Sequence, residues 1–113
     1  MMNSQELETA VRLGLDLVVL IVQDDAYGMI RWKQAVENFE DYGLVFGNPD
    51  FVTYAQAYGA TGTRVKSTED LAPTLEEAFA AGGVHLVTVP VDYSENVRVL
   101  VNELRNRVPD PAE

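Results

Sequence analysis

An apolar run that ends in two carboxylates and a glycine sets the architecture of this chain: Leu17-Val18-Val19-Leu20-Ile21-Val22-Gln23-Asp24-Asp25-Ala26-Tyr27-Gly28. An unbroken run of β-branched and leucine residues, without polar alternation, is typical of a strand covered on both faces in a parallel sheet. We therefore predict a central strand over 17–22, with carboxylates at its C-terminal tip. Residues 29–37 then predict the helix that follows.

Helices and strands alternate along the rest of the chain. A helix is predicted over 3–14, where Asn3 and Glu6 have the spacing of a capping box and Gly14 is a natural stop. Further helices are predicted at 51–58, capped by Asp50, at 69–81, and from 94 onward, where the inward positions are Val97, Leu100, Val101 and Leu104. Strands are predicted at 61–65 and 84–90.

This order predicts an α/β protein, with a three-layer, mostly parallel sheet that carries helices on both faces. Strands joined through helices pair in parallel by right-handed crossovers, and ligands bind outside their C-terminal ends. Three strands make a thin sheet, so we expect further strands or a partner chain, and hence a homo-oligomer. The 113 residues fit one domain over 1–108, followed by a polar tail over 109–113.

Composition excludes several classes of function. The formal net charge of −10 argues against nucleic acid and against an anionic membrane surface as partners. Cysteine is absent from the sequence, so there is neither a thiol nucleophile nor a cysteine-type zinc site, in keeping with a reducing compartment. The longest apolar run, 17–22, is too short to span a bilayer, and the N-terminus lacks the pattern of a signal peptide. We expect a cytoplasmic protein.

The carboxylates after the first strand are the candidate chemical site. Asp24 offers a hard oxygen ligand for a divalent cation, a nearby backbone carbonyl offers a second, and the following helix N-terminus favours an anion such as phosphate. Spacing alone leaves a simpler interpretation open. Asp24 and Asp25 can equally form a solvated loop and a helix cap.

Four segments carry a family resemblance: Met2–Ala10, Leu20–Ile30, Phe46–Phe51 and Ala55–Gly59. Together they closely resemble the C-terminal, diphosphate-binding part of acetolactate synthase large subunits, which are thiamine diphosphate-dependent enzymes that join two pyruvates into 2-acetolactate and CO₂ in branched-chain amino-acid biosynthesis. The resemblance implies Mg²⁺ and thiamine diphosphate as cofactors, with Asp24 as a side-chain metal ligand and Ala26 as a carbonyl ligand. It also implies that Tyr27, Gly28 and Met29 line the cofactor and substrate cleft, with Met29 near the aminopyrimidine.

The resemblance also has two departures. By the family spacing, the Gly-Asp-Gly motif that supplies another metal ligand would lie a few residues before Met1, and Gln23 stands where the family commonly has Asn. The family's activating glutamate belongs to a separate pyrimidine-binding domain. We therefore expect a fragment of an acetolactate synthase that is inactive in isolation. Two alternatives stay open: a non-catalytic α/β remnant or oligomerising module, and a binding module that keeps diphosphate affinity without turnover.

Three further features have simpler interpretations. Trp32 stands one position before the cleft-edge tryptophan of the biosynthetic relatives, and core packing is the favoured interpretation. His85, the single histidine, lies in an apolar strand and is expected to be a satisfied core or strand-end residue. The acidic residues between 69 and 77 are expected to form the solvated face of a helix.

Overall fold

The computed structural model describes residues 3–96, 98 and 99. In chain order the elements are α1 (Glu6–Arg12), β1 (Leu17–Gln23), α2 (Gly28–Val36), α3 (Phe51–Ala57), β2 (Thr61–Arg64), α4 (Thr68–Ala81) and β3 (Val84–Pro90). The described residues divide into two compact units: 3–23 with 48–90, and 24–47 with 91–96, 98 and 99. The predicted inward positions Val97, Leu100, Val101 and Leu104 and the tail 109–113 lie outside the described residues. The domain boundary at 108 stays a prediction.

The first unit contains a three-stranded parallel sheet with the order β1-β3-β2. The register of β1 on β3 runs from Leu17 opposite Val84 to Gln23 opposite Pro90. The parallel α/β class is thus confirmed, but the prediction that β1 is central is wrong. In the described part of the chain β3 is the middle strand and β1 is an edge strand, with Leu20 45% and Val22 53% exposed. An apolar run indicates apolar faces, and it carries no information about whether both edges are paired.

Helices cover both faces of this sheet, which confirms the three-layer arrangement. One hydrophobic cluster joins α1 and α3 to β3 through Leu7, Phe51, Ala55 and Leu86, with Val19 and Ile21 of β1 packed against it. A second cluster joins Ala78 of α4 to Val65 and Val87, with Val18 packed against it. Alternate residues of β1 and β3 therefore point to opposite layers, as the pleat requires.

The ends of the helices follow from single residues. Gly14, with φ of +61°, and Gly59, with φ of +79°, end α1 and α3 in the left-handed conformation. Asp50 caps α3, since its Oδ1 accepts a hydrogen bond from the Thr53 N–H at 2.9 Å. The predicted capping box on α1 is wrong: the helix begins at Glu6 with Gln5 at the N-cap and no capping side chain. The Ser4 and Gln5 carbonyls accept the N–H groups of Leu7 and Glu8 instead.

The described helices are also short. Within the described residues, no helix combines the length and the apolar character that crossing a bilayer demands.

Candidate functional site

The candidate site belongs to the second unit and begins where β1 ends. Asp24 is half-buried, Asp25 is exposed, and Ala26 is buried. The Gly28 N–H donates to the Ala26 carbonyl at 3.0 Å, and Tyr27 between them has φ −78° and ψ 77°. These angles define an inverse γ-turn that leads directly into α2. A carbonyl oxygen has two lone pairs, so Ala26 can accept this hydrogen bond and still bind a cation.

The loop that returns along this turn holds it in place. Ala26 and Val45 form an isolated antiparallel bridge, in which the Tyr27 N–H donates to the Leu44 carbonyl at 2.9 Å. The rings of Tyr27 and Phe46 lie 4.7 Å apart between centroids. Leu44 is buried, only 4% exposed. The composition of 38–50 predicts only an irregular loop, and the one signal for this pairing is the apolar triplet 44–46 within it.

The Asp24 carboxylate lies against the first residue of α2. A Cβ atom added at Gly28 would stand 2.5 Å from Asp24 Oδ2, so only glycine leaves room for the carboxylate there. The Tyr27 side chain at the N-cap makes no capping hydrogen bond, and the first turn of α2 contains no acidic residue. The negative charge at this helix end therefore comes from Asp24, at the place where a helix favours anions.

Asp24, Gly28 and Trp32 line a cavity of about 390 Å³ within this unit. Arg31 and the segment after β3 complete its lining, namely Val91, Asp92, Tyr93, Ser94 and Asn96. A neighbouring cavity of about 450 Å³ shares most of these residues and adds Met29. Of the five predicted site residues, Asp24, Gly28 and Met29 meet at these cavities. Tyr27 and Ala26 line neither: Tyr27 is 55% exposed beside Phe46, and Ala26 is buried in the turn.

The sequence prediction missed the contribution of the segment after β3. The Ser94 N–H donates to Asp92 Oδ1 at 2.8 Å, and this hydrogen bond holds the pKa of the Asp92 carboxyl below its ordinary value. The Asn96 N–H donates to the Tyr93 carbonyl at 3.0 Å, so the segment is folded into consecutive turns. The signal that could have predicted this contribution was the parallel pairing of β1 with β3. Parallel strands that pair end at the same edge of the sheet, so the segments that follow them lie close together.

The oxygen ligands at this site are of the type that a hard cation prefers. There are too few of them to complete its coordination shell. Mg²⁺ prefers carboxylate and carbonyl oxygens in an octahedral shell, and Asp24 and Ala26 supply one of each. Across residues 3–96, 98 and 99, no three His, Cys, Asp or Glu side chains converge on a point that could hold a metal. The residues present therefore fit part of a magnesium shell.

Of the two remaining candidates, Trp32 lies at the cavity and His85 lies in the other unit. Trp32 lines the cavity and is only partly buried, so packing does not account for all of its surface. His85 belongs to the first unit, near the start of β3, where its Nε2 lies 2.9 Å from the Gly82 carbonyl oxygen. That contact is the strand-end hydrogen bond expected of a structural histidine.

The family of the chain follows from its sequence match. Residues 1–89 match the family described as "Thiamine pyrophosphate enzyme, C-terminal TPP binding domain", and the chain belongs to that family.

Two relatives that are similar to this chain are acetolactate synthases. The chain is 39% identical over 102 residues to an acetolactate synthase of Bacillus subtilis (strain 168), a match that covers 90% of this chain and 18% of that protein. It is 42% identical over 94 residues to a catabolic acetolactate synthase of Raoultella terrigena, a match that covers 83% of this chain and 17% of that protein. The chain thus spans less than a fifth of the length of these relatives.

A solved structure gives the same answer for the fold. The thiamine diphosphate-dependent 4-hydroxybenzoylformate decarboxylase of Rhodococcus jostii RHA1 superposes with a TM-score of 0.74 at 30% sequence identity. The superposition covers 81% of this chain and 18% of that one. The parallel sheet with helices on both faces is therefore the fold of a thiamine diphosphate-binding domain.

Proposed function

We propose that this chain is the thiamine diphosphate-binding part of an acetolactate synthase and that it holds the cofactor's diphosphate through Mg²⁺. Asp24 and the Ala26 carbonyl are the proposed metal ligands. Tyr27, Gly28 and Met29 are the proposed cofactor-binding residues. The observation that carries the proposal is the Asp24 carboxylate lying against Gly28, at the N-terminus of α2 and in the wall of a cavity.

The role of these residues in the proposal is to bind and orient. When bound, thiamine diphosphate supplies the electron sink for decarboxylation and carbon–carbon bond formation. Asp24 would give the cation a charged ligand, and the α2 N-terminus would favour the anionic diphosphate beside it. Gly28 would let both approach the backbone. The turn over Ala26 and Tyr27, braced by Leu44, would fix the carbonyl before any ligand arrives.

The reaction of the whole enzyme needs more protein than this chain. We propose that the complete protein condenses two pyruvates to 2-acetolactate and CO₂, as the names of the relatives suggest, and that it acts as a cytoplasmic homo-oligomer. The chain spans 18% of the Bacillus subtilis relative. In the resembled family the activating glutamate comes from a pyrimidine-binding domain. We accordingly expect no turnover by these 113 residues alone.

A calorimetric titration tests the cofactor proposal directly. The purified chain is titrated with thiamine diphosphate, with and without Mg²⁺, and we expect weak binding that requires the metal. Asp24→Ala should abolish the metal-dependent heat, because the one charged ligand is lost. Asp25→Ala is the matched control, since it removes the same charge from an exposed neighbour and should leave the affinity within about threefold.

The fold is checked by circular dichroism before each titration, and two outcomes would contradict the proposal. Unchanged binding in folded Asp24→Ala would show that Asp24 is not a ligand. Absence of heat from the folded wild-type chain would show that it lacks a cofactor half-site, and the non-catalytic module would then be the better description.

A further inference from the structure

The first unit contains a small cavity of its own, between α4 and the strands β2 and β3. Its volume is about 220 Å³. Thr61 is the register partner of His85, so neighbouring strands present these two side chains side by side. The α4 wall includes Ala78 and Ala81, whose small side chains leave the space open. The polar side chains in the lining are Thr61, Thr63, Thr74, Glu77 and His85.

These polar side chains have hydrogen-bonding capacity that the protein does not use. Among the described residues, the three threonine hydroxyls and the Glu77 carboxylate have no hydrogen-bond or ion-pair partner. His85 Nε2 lies 2.9 Å from the Gly82 carbonyl oxygen, which can only accept, so Nε2 carries the ring hydrogen. Nδ1 of the neutral ring is then an acceptor. Carboxylate and Nδ1 only accept, so a matching ligand must bring several donors.

The charge around the cavity favours a cation. Its wall includes the C-terminal end of α4, where a helix carries partial negative charge. The last turn of α4 has no basic residue, and no backbone N–H from beyond the helix donates to its carbonyl groups within the described residues. Glu77 adds a full negative charge, and the described lining contains neither lysine nor arginine. An anion would therefore be repelled here.

We propose that this cavity binds a small organic cation, namely a primary ammonium or guanidinium group on a short alkyl stem. The cationic N–H groups donate to Glu77, to His85 Nδ1 and to the threonine hydroxyls, while the alanine side chains of α4 contact the stem. A divalent metal ion suits the cavity less well, because across residues 3–96, 98 and 99 no three His, Cys, Asp or Glu side chains come together. The cation site does not depend on the proposed cofactor, since it shares no residue with the cofactor ligands.

Nuclear magnetic resonance of the isotope-labelled chain tests this proposal. The chain is titrated with ethylammonium and ethylguanidinium, with ethylurea as the uncharged analogue and propionate as an anion of similar size. We expect both cations to shift the backbone amide signals of 61–63 and 74–85, with dissociation constants of about 1–10 mM, as fits ligands of so few atoms. Ethylurea should bind more weakly, propionate should leave these signals unchanged, and added salt should weaken the binding of the cations.

Two glutamate variants and one alanine variant locate the binding. Glu77→Gln removes the charge from the lining, and the affinity for both cations should fall about fivefold, the most that an exposed ion pair contributes. Glu76→Gln is the matched control, because it removes the same charge from the next position of α4, which does not line the cavity. Its affinity should stay within about twofold of wild type. Ala81→Leu fills the cavity from an exposed position and should abolish binding.

A further titrant, the amide of N-acetylarginine, distinguishes two sources of the cation. Binding as tight as that of ethylguanidinium supports a site for the side chain of a protein segment, and binding of ethylguanidinium alone supports a site for a free small cation. The proposal is overturned if neither simple cation shifts the signals of the folded wild-type chain, if ethylurea binds equally well, or if both glutamate variants have the same affinity. Should Ala81→Leu fail to fold, the comparison of the two glutamate variants decides.

Discussion

Helices α2 and α3 both begin near an aspartate, and at each N-terminus a glycine permits a close contact, yet the two N-termini are arranged differently. At α3, Asp50 is the N-cap, and its hydrogen bond from the Thr53 N–H holds the pKa of the carboxyl below its ordinary value. At α2 the N-cap is Tyr27, whose side chain makes no capping bond, and the carboxylate comes from Asp24 at the end of β1. One carboxylate stabilises its own helix, and the other borders a cavity.

The two glycines differ in the same way. A Cβ atom at Gly62 would stand 2.7 Å from Val52 Cα in the first turn of α3, whereas at Gly28 it would meet the Asp24 carboxylate. The first contact is with backbone, which cannot move without shifting the helix. The second is with the end of a side chain, which can rotate away. We infer that the α3 terminus serves stability and that the α2 terminus serves binding.

The largest expected effect is on stability, from Gly62→Ala. The added methyl group would overlap the α3 backbone, and overpacking of this kind destabilises by about 3 kcal/mol. Urea denaturation measures the free energy of unfolding. Gly47→Ala is the control, because a Cβ atom there meets nothing within 4 Å. It should change stability by less than about 0.5 kcal/mol. Equal unfolding midpoints for the two variants would show that β2 and α3 are not in close contact.

Gly28→Ala should do the opposite: it should weaken binding and leave the free energy of unfolding nearly unchanged. The new methyl group would force Asp24 to rotate away from α2, and we expect Mg²⁺-dependent thiamine diphosphate binding to weaken at least about tenfold. Stability should change by less than about 1 kcal/mol, since a side chain relaxes more easily than a helix and alanine is a better helix former than glycine. Calorimetry and urea denaturation measure the two quantities. Wild-type affinity in this variant would mean that Asp24 does not bind the metal from its present position.

The sequence predicts the first unit well because its elements rest on local patterns. The apolar run 17–22, the Asp50 cap and the stop at Gly14 each depend on residues close in the chain, and each was found where predicted. The position of β1 at the edge could not be predicted in this way. Strand order depends on hydrogen bonds between distant segments, and an apolar run has the same composition at an edge as in the centre.

The candidate site was predictable only in part, for a similar reason. Asp24, Gly28 and Met29 are close in sequence, at the end of a strand and the start of a helix, and the family resemblance marked them as site residues. The segment from Asp92 to Asn96 reaches the same cavity from the far end of the chain, through the pairing of β1 with β3. The indole Nε1 of Trp32 is buried without a hydrogen-bond partner in the described part of the chain, and this could not be found from sequence at all. Whether an indole N–H has a partner is a property of packing, and local sequence does not determine it.

The smallest expected effect concerns the pH dependence of stability and comes from the α3 cap. The Asp50 carboxyl has an ordinary pKa of 3.8, and in the folded protein the Thr53 backbone hydrogen bond lowers it, with a contribution from the Arg64 charge. The unfolded chain therefore binds more protons in this pH range. The stabilisation is present above the ordinary pKa and is lost as pH falls through the lowered pKa.

Asp50→Asn keeps a capping oxygen without the charge, and the stability of this variant should fall less steeply on acidification. Urea midpoints of wild type and variant, followed from neutral into acid solution, measure the difference. The other lowered carboxyls, Glu69 and Asp92, are common to both proteins and cancel. Parallel curves would show that Asp50 does not stabilise α3 through its charge, and the contrast with Asp24 would then rest on geometry alone.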